Sequence, residues 1–389
     1  MHYKSFDEIN EKIRRKKAVV VTAEEIKGIV DEKGPEQACR EVDVVTTATF
    51  GPMCSSGAFL NFGHSDPPIR MSKVWLNDVP AYAGIAAVDA FIGATELSET
   101  RGFEYGGAHV IEDLIAGKKV QLRATSYGTD CYPRREITTY ITKDSINQAV
   151  MFNPRNCYQN YGAAANSSDR TIYTYMGALL PMLGNVNYST SGELSPLICD
   201  PLYRTIGIGT RIFLGGAQGY IAWEGTQCNP SQIRAENSVP IGGAATLSLI
   251  GNMKEMSQRY IRAATFHKYG VSMFVGVGIP IPLINPEVAQ NAAVRNRDVY
   301  THIFDYSVQR RSKPALARVS YEQLRSGSVQ LGGRSVPTAP LSSLKMAREI
   351  ADVLKGQISS GEFLLQEPVM SLPAEASPKS LEIDEVADR

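Results

Sequence analysis

The chain has 389 residues, 43% apolar and 21% charged, which is enough to bury a core without disulfide or metal staples and too apolar for a mainly disordered protein. Forty Lys and Arg balance forty Asp and Glu, so the basic excess of a dedicated nucleic-acid or anionic-surface binder is missing. No run approaches the ~18 apolar residues of a membrane span, and Ala18-Val19-Val20-Val21, after the basic residues Lys12 to Lys17, is too short for a signal-peptide core; the expected compartment is a reducing cytoplasm.

In chain order, Ser5-Phe6-Asp7-Glu8 reads as a capping box opening a helix whose apolar face is Phe6, Ile9 and Ile13. Thr22-Ala23-Glu24-Glu25 repeats the signal, and Gly34-Pro35 ends the second helix. The β-branched stretch Glu41–Thr49 predicts a strand that runs into the loop Phe50-Gly51-Pro52-Met53-Cys54-Ser55-Ser56-Gly57. Lys119–Ser126 and Glu136–Thr142 alternate as two strands around the turn Tyr127–Arg135. Thr205–Trp223 reads as strands broken by glycine, Val271–Ile284 as a strand with an extended continuation, and Ser328–Pro337 as a hairpin turning at Gly332-Gly333. Leu344–Lys355 predicts a helix closed by Gly356. These elements point to an α/β or α+β fold, with mixed β-sheets, flanking helices and glycine-rich loops carrying the site. One large domain is expected over residues 1–373, followed by a flexible acidic tail over 374–389 with five acidic and two basic residues. The Asn, Ser and Gly cluster at Gly184–Glu193 marks either a break between two lobes or a long functional loop.

The standard cofactor motifs are missing. Gly207-Ile208-Gly209 is followed by Ile212 where a dinucleotide fingerprint needs glycine, and no P-loop occurs. The five histidines are too far apart for a local ligand pair, so no metal is expected. The six cysteines form no C-x-x-C pair. Cys54 stands after a strand in a Gly- and Pro-flanked loop whose amides could hold a thiolate, and Cys131 lies in a turn with Arg134 and Arg135 close behind and Asp130 beside it. These two carry equal weight as functional thiols. Cys157, in Asn156-Cys157-Tyr158, ranks lower, and Cys39, Cys199 and Cys228 read as structural.

Five stretches are more specific: T-A-T-F-G-P-M-C-S-S-G (47–57), Y-G-T-D-C-Y-P-R (127–134), F-N-P-R-N-C-Y-Q-N-Y (152–161), G-E-L-S-P-L (192–197) and T-I-G-I-G-T-R-I-F-L-G-G-A-Q-G-Y (205–220). With the ending G-E-F-L-L-Q-E-P-V (361–369), they resemble the homocysteine biosynthesis family from the first helix to Pro373. The resemblance implies an L-aspartate semialdehyde sulfurtransferase activity of the kind found in anaerobes, which forms homocysteine from sulfide, L-aspartate semialdehyde and two electrons. It places the family's two functional cysteines on Cys54 and Cys131. It implies a ferredoxin-like iron–sulfur protein as external electron donor, since this chain has no cluster-binding cysteine run and no bound cofactor is expected. Some members carry C-terminal CBS modules that bind adenosyl-type effectors; none is expected here. A homo-oligomer is compatible with the sequence.

The implied chemistry assigns one cysteine to carry sulfur as a persulfide and the other to close a disulfide that the donor reduces. The Gly- and Ser-rich loop favours Cys54 as carrier, although the roles could be exchanged. Loop proximity nominates Arg134 or Arg135 for the substrate carboxylate, Asp130 or Glu104 for its ammonium, and His64 or His109 for proton movement. The alternatives are a persulfide enzyme with another acceptor, or a non-catalytic carrier that delivers sulfur or clusters to a partner.

Overall fold

A computed structural model describes residues 4–383, and β-branched and alternating segments build most of its architecture. The largest sheet has ten strands, with a path of Val20–Thr22, Val44–Pro52, Gly270–Pro282, Arg211–Leu214, Ala217–Glu224, Leu247–Asn252, Gln148–Asn156, Gly57–Asn61 and Asp89–Gly93; Ile261–Phe266 pairs with Gly270–Pro282 beside that path. A six-stranded sheet orders Ala315–Ser320, Tyr300–Asp305, Ala163–Ala165, Val186–Tyr188, Arg334–Pro340 and Ser328–Leu331. A third, of four strands, contains Glu136–Ile141, Val120–Thr125, Lys73–Leu76 and Val79–Ala81. The fold is therefore mixed α/β, as the element pattern predicts.

The backbone of the site is the antiparallel pair Val44–Pro52 and Gly270–Pro282, in register from Val44 opposite Pro282 to Pro52 opposite Phe274. Its residues are almost continuously buried, as expected for a strand covered on both faces. Pro280 and Pro282 sit inside this strand, not in an extension after it. They are tolerated because the neighbours on the other edge end at Gly278, leaving the proline edge without a ladder to interrupt. The helix Leu344–Ser359 packs across this pair. A Cβ on Gly276 would stand 2.8 Å from Ile350 Cδ1, so glycine permits the close approach.

Several local expectations hold in detail. Ser5 and Glu8 make both capping-box bonds, Glu8 N–H donating to Ser5 Oγ (3.1 Å) and Ser5 N–H to Glu8 Oε2 (2.7 Å). Gly332 and Gly333 take φ of 60° and 78° at the hairpin turn. Three boundaries differ. Gly34 breaks the second helix at φ 78°, but helix resumes through Glu41 because Pro35 fits a first helical turn. Gly356 lies within the last helix, which continues to Ser359 and is capped at Ser360. Gly184–Glu193 contains the buried strand Val186–Tyr188, where Asn187 Nδ2 donates to the carbonyl of Met176 (2.7 Å). The acidic tail falls partly outside the described residues; within them, Ala376 N–H donates to Ser231 Oγ (3.1 Å). No helix among the described residues is long and apolar enough to cross a membrane.

Candidate active site

The long strand pair sets the position of Cys54. Beyond Pro52 the ladder adds one bond, Met53 N–H to Met273 O (2.7 Å), which places Cys54 beside Ser272, with Sγ and Oγ 3.2 Å apart. The chain then turns sharply. Ser56 Oγ donates to Met53 O (2.8 Å), and Asn153 Nδ2 donates to Ser56 Oγ (2.7 Å) from the strand Gln148–Asn156. Ser55 Oγ donates to Arg155 O (3.0 Å). The loop amides of Met53 and Ser56 are bonded to carbonyls, and the hydrogen-bonding neighbours of the sulfur are the side-chain hydroxyls of Ser272 and Tyr269, where loop amides were expected.

Half-buried Cys54 lines a cavity of about 310 Å³ between the ends of the ten-stranded and six-stranded sheets. The large sheet and its loops contribute Met53, Ser55, Arg155, Gln227 and Tyr269; Tyr158, Tyr161, Tyr175, Met176, Ser189 and Leu341 come from the loops and strand ends around the smaller sheet. Tyr161 and Tyr306 both lie in hydroxyl contact with Tyr175, at 3.1 and 2.9 Å. Ring edges meet from Tyr158 to Tyr161, from Tyr161 to Tyr175, and from Tyr175 to Tyr269 and Tyr306. Burial, then the charge of Cys54, pushes the Tyr269 hydroxyl up to about 12. Burial likewise raises Tyr158, Tyr161 and Tyr306. These phenols stay protonated near neutral pH and can donate to anionic oxygen or sulfur.

Arg155 is the one cationic side chain among the described lining residues, and no Asp or Glu is among them. Its Nη1 donates to Gln227 Oε1 (2.7 Å), while its buried Nε has no partner among the described residues. Cys157 lies behind the cavity, almost fully buried, and burial pushes its thiol upward. Cys39 and Cys199 are buried with their thiols donating to the carbonyls of Leu283 (3.2 Å) and Glu193 (3.1 Å), and Cys228 is buried too.

Cys131 stands elsewhere, exposed in the turn joining Val120–Thr125 to the edge strand Glu136–Ile141 of the four-stranded sheet, and it does not line the Cys54 cavity. Thr129 Oγ1 lies 3.5 Å from its sulfur, and Thr129 and Tyr132 exchange backbone bonds of 3.0 and 3.1 Å across the turn. Arg134 Nε and Nη2 donate to the carbonyls of Pro67 (2.9 Å) and Asp66 (2.7 Å), tying this turn to the loop that carries His64. His64 stacks on Tyr132 at 6.0 Å. Asp130 and Arg135 are exposed in the same region. Glu104 is exposed on the strand Gly102–Gly106. His109 caps a helix: its Nδ1 accepts from Gly106 N–H (3.1 Å), its ring stacks on Tyr105, and burial lowers its pKa. The nominated residues thus divide into the Cys54 cavity, the Cys131 turn with Asp130, Arg134, Arg135 and His64, and the separate pair Glu104 and His109. Among the described residues no three His, Cys, Asp or Glu side chains converge to hold a metal.

Sequence reading missed Arg155, Gln227 and the tyrosines. The excess of 18 Tyr over 2 Trp, with Tyr158, Tyr161 and Tyr175 close in sequence, was the available signal. Arg155 sits inside the F-N-P-R-N-C-Y motif.

Residues 18–365 match the family model described as homocysteine biosynthesis enzyme, sulfur-incorporation. The chain is 56% identical over 378 residues to an L-aspartate semialdehyde sulfurtransferase of Methanosarcina acetivorans, covering 97% of this chain and 74% of that protein. It is 51% identical over 404 residues to a protein of the same name from Methanocaldococcus jannaschii, covering 100% and 77%. An uncharacterized protein of Methanothermobacter thermautotrophicus is 32% identical over 336 residues, covering 83% and 72%. No solved structure matches.

Proposed function

The chain belongs to the homocysteine biosynthesis family and is a sulfurtransferase; from that premise we propose that it converts L-aspartate semialdehyde and sulfide sulfur to L-homocysteine, with Cys54 carrying the sulfur. The observation that supports this reading most is the partly exposed Cys54 thiol, held by a strand register inside a polar, tyrosine-lined cavity of about 310 Å³. A soft sulfur nucleophile there can attack an aldehyde carbon, while phenol hydroxyls of Tyr269 and its neighbours donate to the developing alkoxide.

The balance is explicit. Aldehyde, hydrogen sulfide, two electrons and two protons give the thiol and water. Sulfide condenses with the aldehyde and loses water to a thioaldehyde; the Cys54 thiolate adds to its sulfur and the carbon takes a proton, so Cys54 carries the sulfur in a mixed disulfide and no oxidant is needed. In this reading Cys131 supplies a pair by attacking the Cys54 sulfur, releasing the substrate-bound sulfur as thiolate and leaving a Cys54–Cys131 disulfide. That step requires a state in which the two Cα atoms approach within about 7 Å. An external two-electron donor, a ferredoxin-like iron–sulfur protein, resets the pair, and the chain itself binds no redox cofactor.

Anaerobic incubation with sulfide, aspartate semialdehyde and a low-potential reductant tests the activity, and homocysteine is the expected product. Persulfide on Cys54 without homocysteine would favour a sulfur carrier instead. Reduced protein freed of reductant should make at most one homocysteine per site, with Cys54 and Cys131 afterwards joined in peptide mass spectra. Sustained turnover on sulfide alone would remove the external donor from the scheme.

A further inference from the structure

We propose that Arg155, positioned by Gln227, is the carboxylate-binding group of the Cys54 cavity, and that the site recognises its substrate by the carboxylate ahead of the amine. The inference rests on Cys54 being the reacting thiol. The guanidinium is the only cation on the cavity wall among the described residues, and it forms no ion pair with any carboxylate among them. A partly buried cation in a cavity without acids leaves a net positive field suited to a small anion.

The fork is also prepared for a ligand. Gln227 accepts from Nη1 and fixes the plane of the group, while the buried Nε lacks a partner. Leaving such a donor unmet is costly, and a carboxylate satisfies it with charge assistance. Spacing to the thiol is set by the backbone: Ser55, next to Cys54, donates to Arg155 O, and Asn153 Oδ1 accepts from both Ser55 Oγ (3.3 Å) and Arg155 N–H (3.2 Å). Thiol and guanidinium therefore share one braced wall, which suits an aldehyde and a carboxylate carried on the same small molecule.

The amine is served differently. With no Asp or Glu among the described lining residues, an ammonium meets tyrosine rings and neutral oxygens there, a weaker attraction than an ion pair. An aldehyde that keeps the carboxylate but lacks the amine, 4-oxobutanoate, should compete with substrate, whereas 3-aminopropanal should not. Arg134, by contrast, already donates through Nε and Nη2 to two carbonyls.

The test uses Cys54 itself as reporter, in full-length Cys131→Ser protein. Alkylation of Cys54 by iodoacetate and by iodoacetamide is followed by peptide mass spectrometry, with glutathione as the reference thiol. Expected is an iodoacetate-to-iodoacetamide rate ratio about tenfold above that of glutathione. Arg155→Gln should return the ratio to that of glutathione, and Gln227→Leu should lower it part-way without changing the iodoacetamide rate. Succinate should slow iodoacetate labelling of Cys54 in protein with Arg155 intact, and 1,4-diaminobutane should not; this arm stands even where Arg155→Gln fails to fold. A ratio equal to that of glutathione with no succinate protection overturns the proposal, as does an unchanged ratio in folded Arg155→Gln. Loss of the ratio in that variant, when protein with Cys131 and Arg155 intact makes no homocysteine, sustains the anion subsite while the proposed reaction falls. Homocysteine formation with an unchanged KM for the semialdehyde in Arg155→Gln protein that keeps Cys131 does the reverse.

Discussion

Cys54 and Cys131 are held in opposite ways. The first is locked by a nine-residue strand register, a braced turn and a serine hydroxyl, with its sulfur facing a partly open polar cavity. The second rides an exposed turn whose bonds are mostly internal, on a different sheet. A thiol fixed against rigid elements suits bond-making with a small substrate, because positioning is built in before the reaction. A thiol on an exposed turn suits exchange with a second thiol or an external donor, where access matters more than placement.

Cys54→Ser cuts deepest into this contrast. Homocysteine formation should fall by at least about a thousandfold, since a hydroxyl at this position cannot hold the substrate sulfur in a mixed disulfide, while the melting temperature stays within a few degrees. Near-normal turnover would empty the cavity of its assigned role. Cys131→Ser should reduce donor-supported turnover by about one hundredfold but leave the mixed disulfide between Cys54 and the substrate sulfur able to form. The same pair is separable by reagent size. A bulky aromatic disulfide should label one thiol rapidly in the native protein and lose that reaction in Cys131→Ser; rapid labelling that persists there would reverse the assignment of exposed and half-buried thiol.

Tyr269→Phe probes the cavity wall at smaller amplitude. Loss of one hydrogen bond donated to anionic sulfur or oxygen should lower kcat by about tenfold, equivalent to about 1.4 kcal/mol. Because the Tyr269 hydroxyl titrates only at about 12, it is protonated across pH 6–9. The shape of the pH profile in that window should therefore match the parent enzyme while its height drops. A lost alkaline limb would mean that Tyr269 itself had been titrating.

In both regions sequence reveals the loop that carries the thiol and not what surrounds it. Cys54 was legible because a β-branched strand running into a Gly- and Pro-flanked loop is a local pattern. Cys131 was legible for the same reason, as a turn between two alternating strands. Their surroundings were not. Tyr158, Tyr175 and Tyr269 are brought together by pairing between distant strands, and nothing local distinguishes them from other tyrosines. Asn, Ser and Gly around Val186–Tyr188 read as a loop, yet the asparagine side chains there bond to neighbouring carbonyls and let a polar segment enter a sheet. Arg134 was nominated for a ligand because charge is visible in sequence, whereas its two carbonyl partners are visible only in the fold.

His109 marks the outer limit of both regions, and its replacement should have the smallest effect on chemistry. Sequence reading offered it as a proton carrier, but its Nδ1 accepts from Gly106 N–H, which requires the neutral ring with its proton on Nε2. Burial lowers its pKa and so favours the same neutral form. A histidine with a depressed folded pKa adds stability that is fully present above its unfolded value, about 6.5, and is lost as pH falls through the folded one. His109→Ala should accordingly cost about 1 kcal/mol at pH 8, the worth of one hydrogen bond. The gap from the parent protein should narrow as pH drops below about 6.5, because the parent then loses the same bond by protonation. Homocysteine formation at pH 7.5 should be unchanged within about twofold, the ring being outside the Cys54 cavity. Denaturant unfolding at several pH values reads the first effect, and the activity assay reads the second. A tenfold loss of activity in a variant of ordinary stability would return His109 to the chemistry, and a stability gap that widened toward acid would mean that the ring is charged in the fold.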